Sequence, residues 1–361
     1  MADGGYDHAI CGSTAFAMLL AGLLAAEHGR RVCLIGEAWS PYRLPRRVDV
    51  SVAAVTRPET WALLKRETPD ILKLLGSIGR GLYERADPLF IAETPAEVDR
   101  LGHVRWTAAA YGFAAERVVD PAITTSGAIC RIRDAAMLVT GRAEPALEAW
   151  LDKLGVVRLP ELTTTVTAKR DGTATIAAND RETEAGSLIL ADDTAILARQ
   201  TPSDRHRLLT ITACTAILTE PAPRALPAPL CFYLDRELVL YQRAAKNAVV
   251  ALAHGDPDTA RARLGASTGA VGAVRPTGQA LFRCVETLDG APLIGRSGRL
   301  KAIIAAGLGD TAAFVAPAVA RVLADAATED DAAYFTAREV SKAAHRQSVA
   351  ERDQPTAEAA A

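Results

Sequence analysis

The chain opens with short strand-like and longer helix-like apolar segments in alternation. Asp7 to Cys11 and Arg31 to Ile35 are short runs of the kind that form buried strands, whereas Ala15 to His28 is a longer run rich in Ala and Leu. Gly29 stands where a helix stop is expected. This order predicts a βαβ unit whose first turn is formed by residues 12–14.

Such a unit is typical of dinucleotide-binding folds. There the turn brings backbone N–H groups and the positive end of the helix to a pyrophosphate, and an acid after the second strand binds a ribose. Gly12 and Glu37 stand in those two places, but a regular G-x-G-x-x-G would also need glycine at Thr14 and Ala17. The pattern therefore predicts an altered dinucleotide site, with a buried βαβ unit that binds no cofactor as the alternative.

Length, charge and hydrophobic runs exclude disordered, nucleic-acid-binding and membrane-spanning proteins. The chain has 361 residues, 49% hydrophobic and 23% charged, which is typical of two or three folded domains and not of a disordered chain. With 41 Lys and Arg against 43 Asp and Glu, it has no overall field that would attract nucleic acid or anionic lipid. The apolar run from Ala15 to Ala26 is too short to cross a bilayer, which takes about 20 residues. We expect a cytoplasmic protein with neither nucleic acid nor membrane as a partner.

The cysteines predict no metal centre and no disulfide framework. They are widely scattered, without a C-x-x-C pair or a Cys/His cluster at metal-ligand spacing. The six are Cys11, Cys33, Cys130, Cys214, Cys231 and Cys284.

A second motif lies near the end of the chain. Residues Thr287 to Gly295 have the order T-x-D-G-x-P-x-I-G, and a strand over Ala302 to Ala306 and the Gly-rich stretch Gly307 to Pro317 follow. This order resembles the end of the FAD-dependent D-amino-acid oxidase family, which includes glycine and sarcosine oxidases. In that family the helix after the Gly-rich turn directs its positive end at the flavin pyrimidine ring, where it stabilises the negative charge of the reduced flavin.

The resemblance extends over most of the chain and implies its fold class. Asp87 to Thr94 resembles the family's strand-then-helix entry into the substrate domain, and Leu188 to Asp193 resembles the strand that returns to the cofactor domain. The expected fold is α/β, with a Rossmann-like FAD-binding domain interleaved with a sheet-rich α+β substrate domain. The expected segments are 1–62, 138–206 and 285–345 for the FAD-binding domain, 63–137 and 207–284 for the substrate domain, and 346–361 as a disordered tail.

The βαβ unit and the resemblance together predict non-covalent FAD and a set of cofactor-binding residues. These residues fall in the first turn, the basic loop after the second strand, the returning strand and the C-terminal motif. They are Gly12, Ser13, Thr14, Ala17, Glu37, Arg43, Arg46, Arg47, Val166, Ala191, Asp192, Asp289, Gly295, Gly307, Leu308, Gly309, Asp310, Thr311 and Ala312.

Three departures from the family pattern bear on the chemistry. The family's amino-acid oxidases bind the substrate carboxylate with an arginine five residues before the Asp equivalent to Asp289, and that position is Cys284 here. Arg283 is adjacent, but neighbouring side chains of a strand point to opposite faces. The cysteine that carries covalent FAD in monomeric sarcosine oxidases is replaced by Phe282. Glycine is replaced in the returning strand by Asp193.

Four residues are candidates for substrate contact, and the resemblance places them near the sheet above the flavin. Tyr233, Tyr241 and Arg243 belong to or follow the paired strands 230–234 and 237–242, and Arg283 is the fourth. A tyrosine and an arginine on such a sheet could bind an amine or an acid. The alternative is that the tyrosines are ordinary packing residues, which is their most frequent role in strands.

Three functional hypotheses follow. The first is an FAD-dependent oxidoreductase that transfers a hydride from a carbon bearing an amine, whose substrate is a small-molecule amine or a peptidyl or protein group, and not a simple small amino acid. The second is a flavoprotein accessory or maturation subunit that acts on or with a partner protein. The third is a flavin-free scaffold.

Overall fold

The structure is a computed structural model that describes residues 5–202, 209–242, 247–267, 274–288, 290–297, 299 and 301–337. Arg243, Asp289 and the tail at 346–361 lie outside these residues.

The strands and helices alternate along the chain. The strands are β1 (Tyr6–Cys11), β2 (Val32–Gly36), β3 (Tyr83–Ala86), β4 (Leu89–Ala92), β5 (Ala115–Val118), β6 (Ala128–Ile132), β7 (Ala135–Leu138), β8 (Val157–Pro160), β9 (Thr165–Ala168), β10 (Ala174–Ala178), β11 (Arg181–Leu190), β12 (Leu209–Pro221), β13 (Leu230–Tyr233), β14 (Leu238–Tyr241), β15 (Ala248–His254), β16 (Pro276–Thr287), β17 (Leu293–Ser297) and β18 (Ala302–Ala306). The helices are α1 (Ala15–Ala26), α2 (Pro58–Ile78), α3 (Pro95–Ala110), α4 (Thr140–Lys153), α5 (Asp193–Arg199), α6 (Pro257–Ser267), α7 (Ala312–Leu323) and α8 (Glu329–Ala337).

The first sheet has the order β17-β18-β11-β1-β2-β8, and the hairpin β9–β10 is attached to β11. The pairs β1–β2, β1–β11, β2–β8 and β11–β18 are parallel, and only β17 runs antiparallel within this order. Helices α1, α2, α4 and α7 form one hydrophobic cluster on it. Strands such as β2 are almost continuously apolar because both faces of the sheet are covered.

Helix α1 is apolar around its whole circumference because it is enclosed on all sides. Every residue from Ala15 to Leu24 is buried. The helix ends at Ala26, two residues before the predicted end at His28, and Gly29 follows with a φ of +62° that lets Arg30 N–H reach back to the Leu24 carbonyl at 3.0 Å. The predicted βαβ unit is therefore present.

The second sheet has the order β16-β12-β15-β14-β13-β4-β6-β5. It is antiparallel except for the pair β13–β4. Its two faces carry separate hydrophobic clusters, one containing residues of α3 and the other residues of α6. The predicted fold class is confirmed: a mostly parallel sheet with helices is combined with a mostly antiparallel sheet, and the chain passes between them more than once.

Candidate active site

The turn between β1 and α1 is packed at backbone contact distance. A Cβ atom at Gly12 would lie 2.9 Å from the Ala17 Cβ and 3.2 Å from Asp192 Oδ2. A Cβ at Gly36 would collide with the Gly12 carbonyl oxygen. Glycine is thus required at the end of β2 as well as in the turn, because the two backbone segments touch there.

The hydroxyl groups of the turn accept hydrogen bonds from the protein's own backbone. Ser13 Oγ accepts a hydrogen bond from Glu37 N–H at 2.8 Å, and Thr14 Oγ1 accepts one from Ala17 N–H at 3.3 Å. Thr14 is the N-cap of α1, which accounts for a β-branched residue where the usual fingerprint has glycine. The N–H groups of Thr14 and Ala15 have no acceptor among the described residues, so both are available to an anion at the positive end of α1.

Two cavities meet at this turn. The larger, of about 500 Å³, is lined by Ser13 and Thr14 of the turn and also by Tyr241 and Val250 of the second sheet. The smaller, of about 250 Å³, is lined by Gly12, Ser13, Gly36, Glu37 and residues of α4 and β8. A cofactor with two arms joined by a pyrophosphate would pass the turn between these cavities, and the larger one has the size of an ordinary ligand pocket.

The basic loop after β2 lines the larger cavity, as the sequence predicted. Arg43 forms ion pairs with Glu144 at 2.7 Å and with Glu37 at 3.4 Å. Arg46 lies 3.6 Å from Glu37, and Arg47 lies 3.3 Å from Asp193. All three guanidinium groups therefore already have a carboxylate partner within the protein.

Asp192 and Asp193 bring two carboxylates to the end of β11. Asp192 Oδ2 accepts the Ser13 N–H at 2.7 Å, and Oδ1 accepts the Ala195 N–H at 2.8 Å, so this side chain joins the turn to α5. Burial raises the pKa of Asp193, and the Arg47 guanidinium opposes that shift. Ala191, just before them, is buried and donates its N–H to the Cys11 carbonyl at 2.8 Å.

Asp49 is a buried acid on the wall of the larger cavity. It is 5% exposed, and no described arginine or lysine lies within 4 Å of its carboxylate. Burial raises its pKa to about 7, whereas Arg47 and a hydrogen bond from Ala313 N–H at the start of α7 act in the opposite direction.

The C-terminal Gly-rich turn lines neither of these two cavities. Arg47 Nη1 donates to the Gly309 carbonyl at 3.0 Å, and Val50 N–H donates to the Asp310 carbonyl at 2.7 Å. Residues 47–50 therefore lie between the cavity and the predicted set Gly307, Leu308, Gly309, Asp310, Thr311 and Ala312. The Asp49 carboxylate, and not open space, meets the N-terminus of α7.

Two further predicted cofactor residues lie away from both cavities. Val166 is half-buried in β9, where it pairs with Ile176 and packs against the hairpin face of the first sheet. Gly295 lies in β17 opposite Ile304. Val166 contributes to packing, and Gly295 is a residue of the strand ladder.

The four substrate-contact candidates are not brought together. Tyr241 lines the larger cavity, but Tyr233 is buried in a hydrophobic cluster with the Arg236 guanidinium over its ring. Arg283 is exposed on β16 and lines neither cavity, while Arg243 lies outside the described residues. Cys284 is half-buried beside Cys214, whose thiol together with burial raises the pKa of Cys284, so the thiol stays neutral.

Sequence reasoning missed several cavity residues. Asp49 sits in the alternating run Val48-Asp49-Val50-Ser51-Val52, which reads as a strand with its polar side chains facing water, yet Asp49 and Ser51 are both buried. Gly36 could have been found, since a glycine immediately before Glu37, the acid predicted to bind a ribose, suggests close backbone approach. The members of the smaller cavity that come from α4 and β8 carry no sequence signal that points to it: Glu148, Asp152, Arg158, Leu159 and Pro160.

Two kinds of feature are absent from the described residues, a metal-binding cluster and a membrane-spanning helix. No group of three or more His, Cys, Asp or Glu side chains could hold a metal ion among them. No helix of the described part of the chain is long and apolar enough to cross a bilayer.

Solved structures share this architecture. L-proline dehydrogenase from P. horikoshii aligns with a TM-score of 0.74 at 15% identity, covering 96% of this chain and 100% of that one. Glycine oxidase from Geobacillus kaustophilus gives 0.70 at 14%, covering 91% and 97%, and NikD, an unusual amino acid oxidase essential for nikkomycin biosynthesis, gives 0.69 at 16%, covering 93% and 97%. No family model and no curated protein matches the chain. The resemblance inferred from the sequence is confirmed for the fold.

Proposed function

We propose that this protein is an FAD-dependent oxidoreductase that oxidises a carbon bearing an amine, with the FAD bound non-covalently. The observation that carries the proposal is the meeting of two cavities at the Gly12–Thr14 turn, in a fold shared with enzymes that oxidise amino acids. The flavin would supply the hydride acceptor, and the protein would supply binding, orientation and electrostatics.

The residues at the turn suit a pyrophosphate. The unpaired N–H groups of Thr14 and Ala15 would donate to it at the start of α1, and Arg46, whose side chain is 40% exposed, is near enough to add positive charge. Glu37 lines the smaller cavity, where its carboxylate would accept hydrogen bonds from a ribose. The Ser13 N–H is held by Asp192 instead, so this turn offers one donor fewer than a regular fingerprint.

The substrate end of the larger cavity suits an amine better than an amino acid. Its walls include Met137, Val139, Tyr241 and Val250, and its arginines are already paired with acids. A buried carboxylate without a partner costs several kcal/mol. The residue at the family's carboxylate-binding position is the neutral Cys284. We therefore propose that glycine, D-alanine and sarcosine are poor substrates.

The first test is the visible absorption spectrum of the purified protein, followed by acid precipitation. Flavin bands and a yellow supernatant support non-covalent FAD. Colour retained in the pellet would mean a covalent link, and a colourless protein that takes up no added FAD would reject the proposal in favour of the flavin-free scaffold.

The second test is anaerobic mixing of the flavin-loaded protein with panels of small amino acids and simple alkylamines. Bleaching of the flavin by amines but not by glycine, D-alanine or sarcosine at millimolar concentration supports the proposal. Rapid bleaching by any of these three amino acids would restore a plain amino-acid oxidase.

The paired state of the cavity arginines also favours a second candidate, a flavoprotein accessory or maturation subunit that modifies a partner protein. A peptidyl amine carries no free α-carboxylate and needs no arginine to bind one. Bleaching of the flavin by a lysine-containing peptide with blocked termini, and by no free amine of the panel, would favour this candidate.

A further inference from the structure

We propose that Asp49 binds the substrate's ammonium group and takes its proton, which makes the protein selective for amines without a neighbouring carboxylate. The inference rests on the proposed amine oxidation and assigns a specificity-determining residue to it. Asp49 was not among the residues predicted from the sequence.

The first observation is that Asp49 is held rigidly on the cavity wall. Leu138 N–H donates to the Asp49 carbonyl at 2.9 Å. The next residue, Val50, donates its N–H to the Asp310 carbonyl and forms an antiparallel β-bridge with Met137. The backbone at Asp49 is thus fixed both to β7 and to the turn before α7. A carboxylate on such a support is already oriented and loses little freedom when it binds a ligand.

The second observation is that Asp49 differs from the other acids of the same cavity. Glu144 is bonded to Arg43 at 2.7 Å, and both oxygens of Asp192 accept backbone N–H groups. Asp49 has one backbone donor, Ala313 N–H, and no described arginine or lysine within 4 Å. It is therefore the cavity acid with the most unmet capacity for a cationic hydrogen-bond donor.

The charges around Asp49 favour a cation. Arg47, on its own segment, is bonded to Asp193 and to the Gly309 carbonyl. Glu144 on α4 and Asp310 before α7 add negative potential, and β7 presents apolar side chains such as Met137. An ammonium group placed here would be attracted by Asp49, whereas a carboxylate would be repelled by Asp49 and would meet no unpaired guanidinium among the described residues.

Oxidation of an amine by hydride transfer requires a group that accepts a proton from the ammonium nitrogen. An amine is protonated in neutral water, and its nitrogen must lose a proton before its lone pair can assist departure of a hydride from the adjacent carbon. The proton would pass from the ammonium nitrogen to an Asp49 Oδ atom, leaving a neutral amine and a neutral carboxyl group. The pKa of about 7 suits this exchange, because a base is most effective when its pKa lies near the working pH.

The test uses two ligands that cannot be oxidised, since neither has a hydrogen on the carbon bearing nitrogen. They are tert-butylamine and α-aminoisobutyrate, which differ by a methyl group in place of a carboxylate. Calorimetric titration of the purified protein at pH 8 should show tert-butylamine binding at least tenfold more tightly than α-aminoisobutyrate. Lowering the pH to 5.5 should weaken tert-butylamine binding at least tenfold, because Asp49 becomes protonated. Equal or tighter binding of α-aminoisobutyrate would overturn the proposal.

The variant Asp49→Asn should bind tert-butylamine at least tenfold more weakly at pH 8 and lose the pH dependence. The control Asp99→Asn removes the same charge from the exposed face of α3 and should leave the dissociation constant within threefold of the original. Unchanged binding in Asp49→Asn would reject the assignment. Should that variant fail to fold, the ligand comparison and pH dependence of the unmodified protein still decide it.

Failure of this proposal is separable from failure of the proposed function, because neither ligand requires chemistry at a flavin. A colourless protein that takes up no added FAD but binds tert-butylamine through Asp49 would reject the oxidoreductase and keep the amine site. A yellow protein whose tert-butylamine binding is unchanged in Asp49→Asn would keep the oxidoreductase and reject the amine site at Asp49.

Discussion

Replacement of Gly12 by valine tests whether the β1–α1 turn holds the cofactor. A Cβ atom there would lie 2.9 Å from the Ala17 Cβ, about 0.6 Å inside the 3.5 Å at which carbon atoms make favourable contact. The two γ-carbons of valine add to this overlap, so the start of α1 must move away from β1 or Asp192 must release Ser13. Overpacking of this kind costs about 1 to 3 kcal/mol of unfolding free energy.

The same displacement moves the Thr14 and Ala15 N–H groups that would bind pyrophosphate. We expect the FAD dissociation constant to rise at least about tenfold, which corresponds to 1.4 kcal/mol, measured by fluorescence titration of the apoprotein with FAD. The control is Gly76→Val in α2, where a Cβ meets no atom within 4 Å, and it should leave FAD affinity unchanged. Equal FAD affinity in Gly12→Val and the unmodified protein would place the cofactor elsewhere and refute the reasoning.

Three other predictions concern the charges of the site. The pKa of Asp49 is raised from 3.8 to about 7, so between about pH 4 and 7 the folded protein keeps a proton on Asp49 that the unfolded chain loses. The free energy of unfolding therefore falls as the pH rises through this window. Asp49→Asn should remove up to about 4 kcal/mol of this penalty, which urea unfolding would show as a flatter dependence of stability on pH. Arg47→Gln leaves the largely buried Asp193 carboxylate without its cation and should lower the free energy of unfolding, measured in urea, by about 2 to 4 kcal/mol. The double variant that also carries Asp193→Gly should recover part of this loss of stability. If it recovers none, the loss does not come from the broken ion pair. Glu37→Ala should raise the FAD dissociation constant by only about threefold, less than Gly12→Val does, because the Glu37 side chain is 44% exposed; an unchanged constant would exclude Glu37 from the cofactor site.

The sequence determined the parts of the fold that depend on local pattern. The βαβ unit follows from the length and spacing of its apolar runs. Gly29 closes the turn after α1, because a residue tolerant of positive φ lets Arg30 N–H bond back to the Leu24 carbonyl. The paired strands β13 and β14 also follow from the sequence. The fold class came from the order of two short motifs far apart in the chain, and the shared architecture of the amino-acid oxidases confirms it.

The tertiary structure decided which side chains share a cavity and in what charge state. Nothing in the run 48–52 marks Asp49 as buried, but that segment lies between β7 and the start of α7, so its polar residues are enclosed. Arg43, Arg46 and Arg47 are predicted from the sequence to bind the cofactor, and only the tertiary structure shows that each already contacts an acid, namely Glu144 of α4, Glu37 after β2 or Asp193 of α5. Such contacts join residues more than 100 positions apart, as Arg43 and Glu144 do. Because hydrophobic periodicity reports which face of one element is buried, it carries no information about the charges that another element brings to that face.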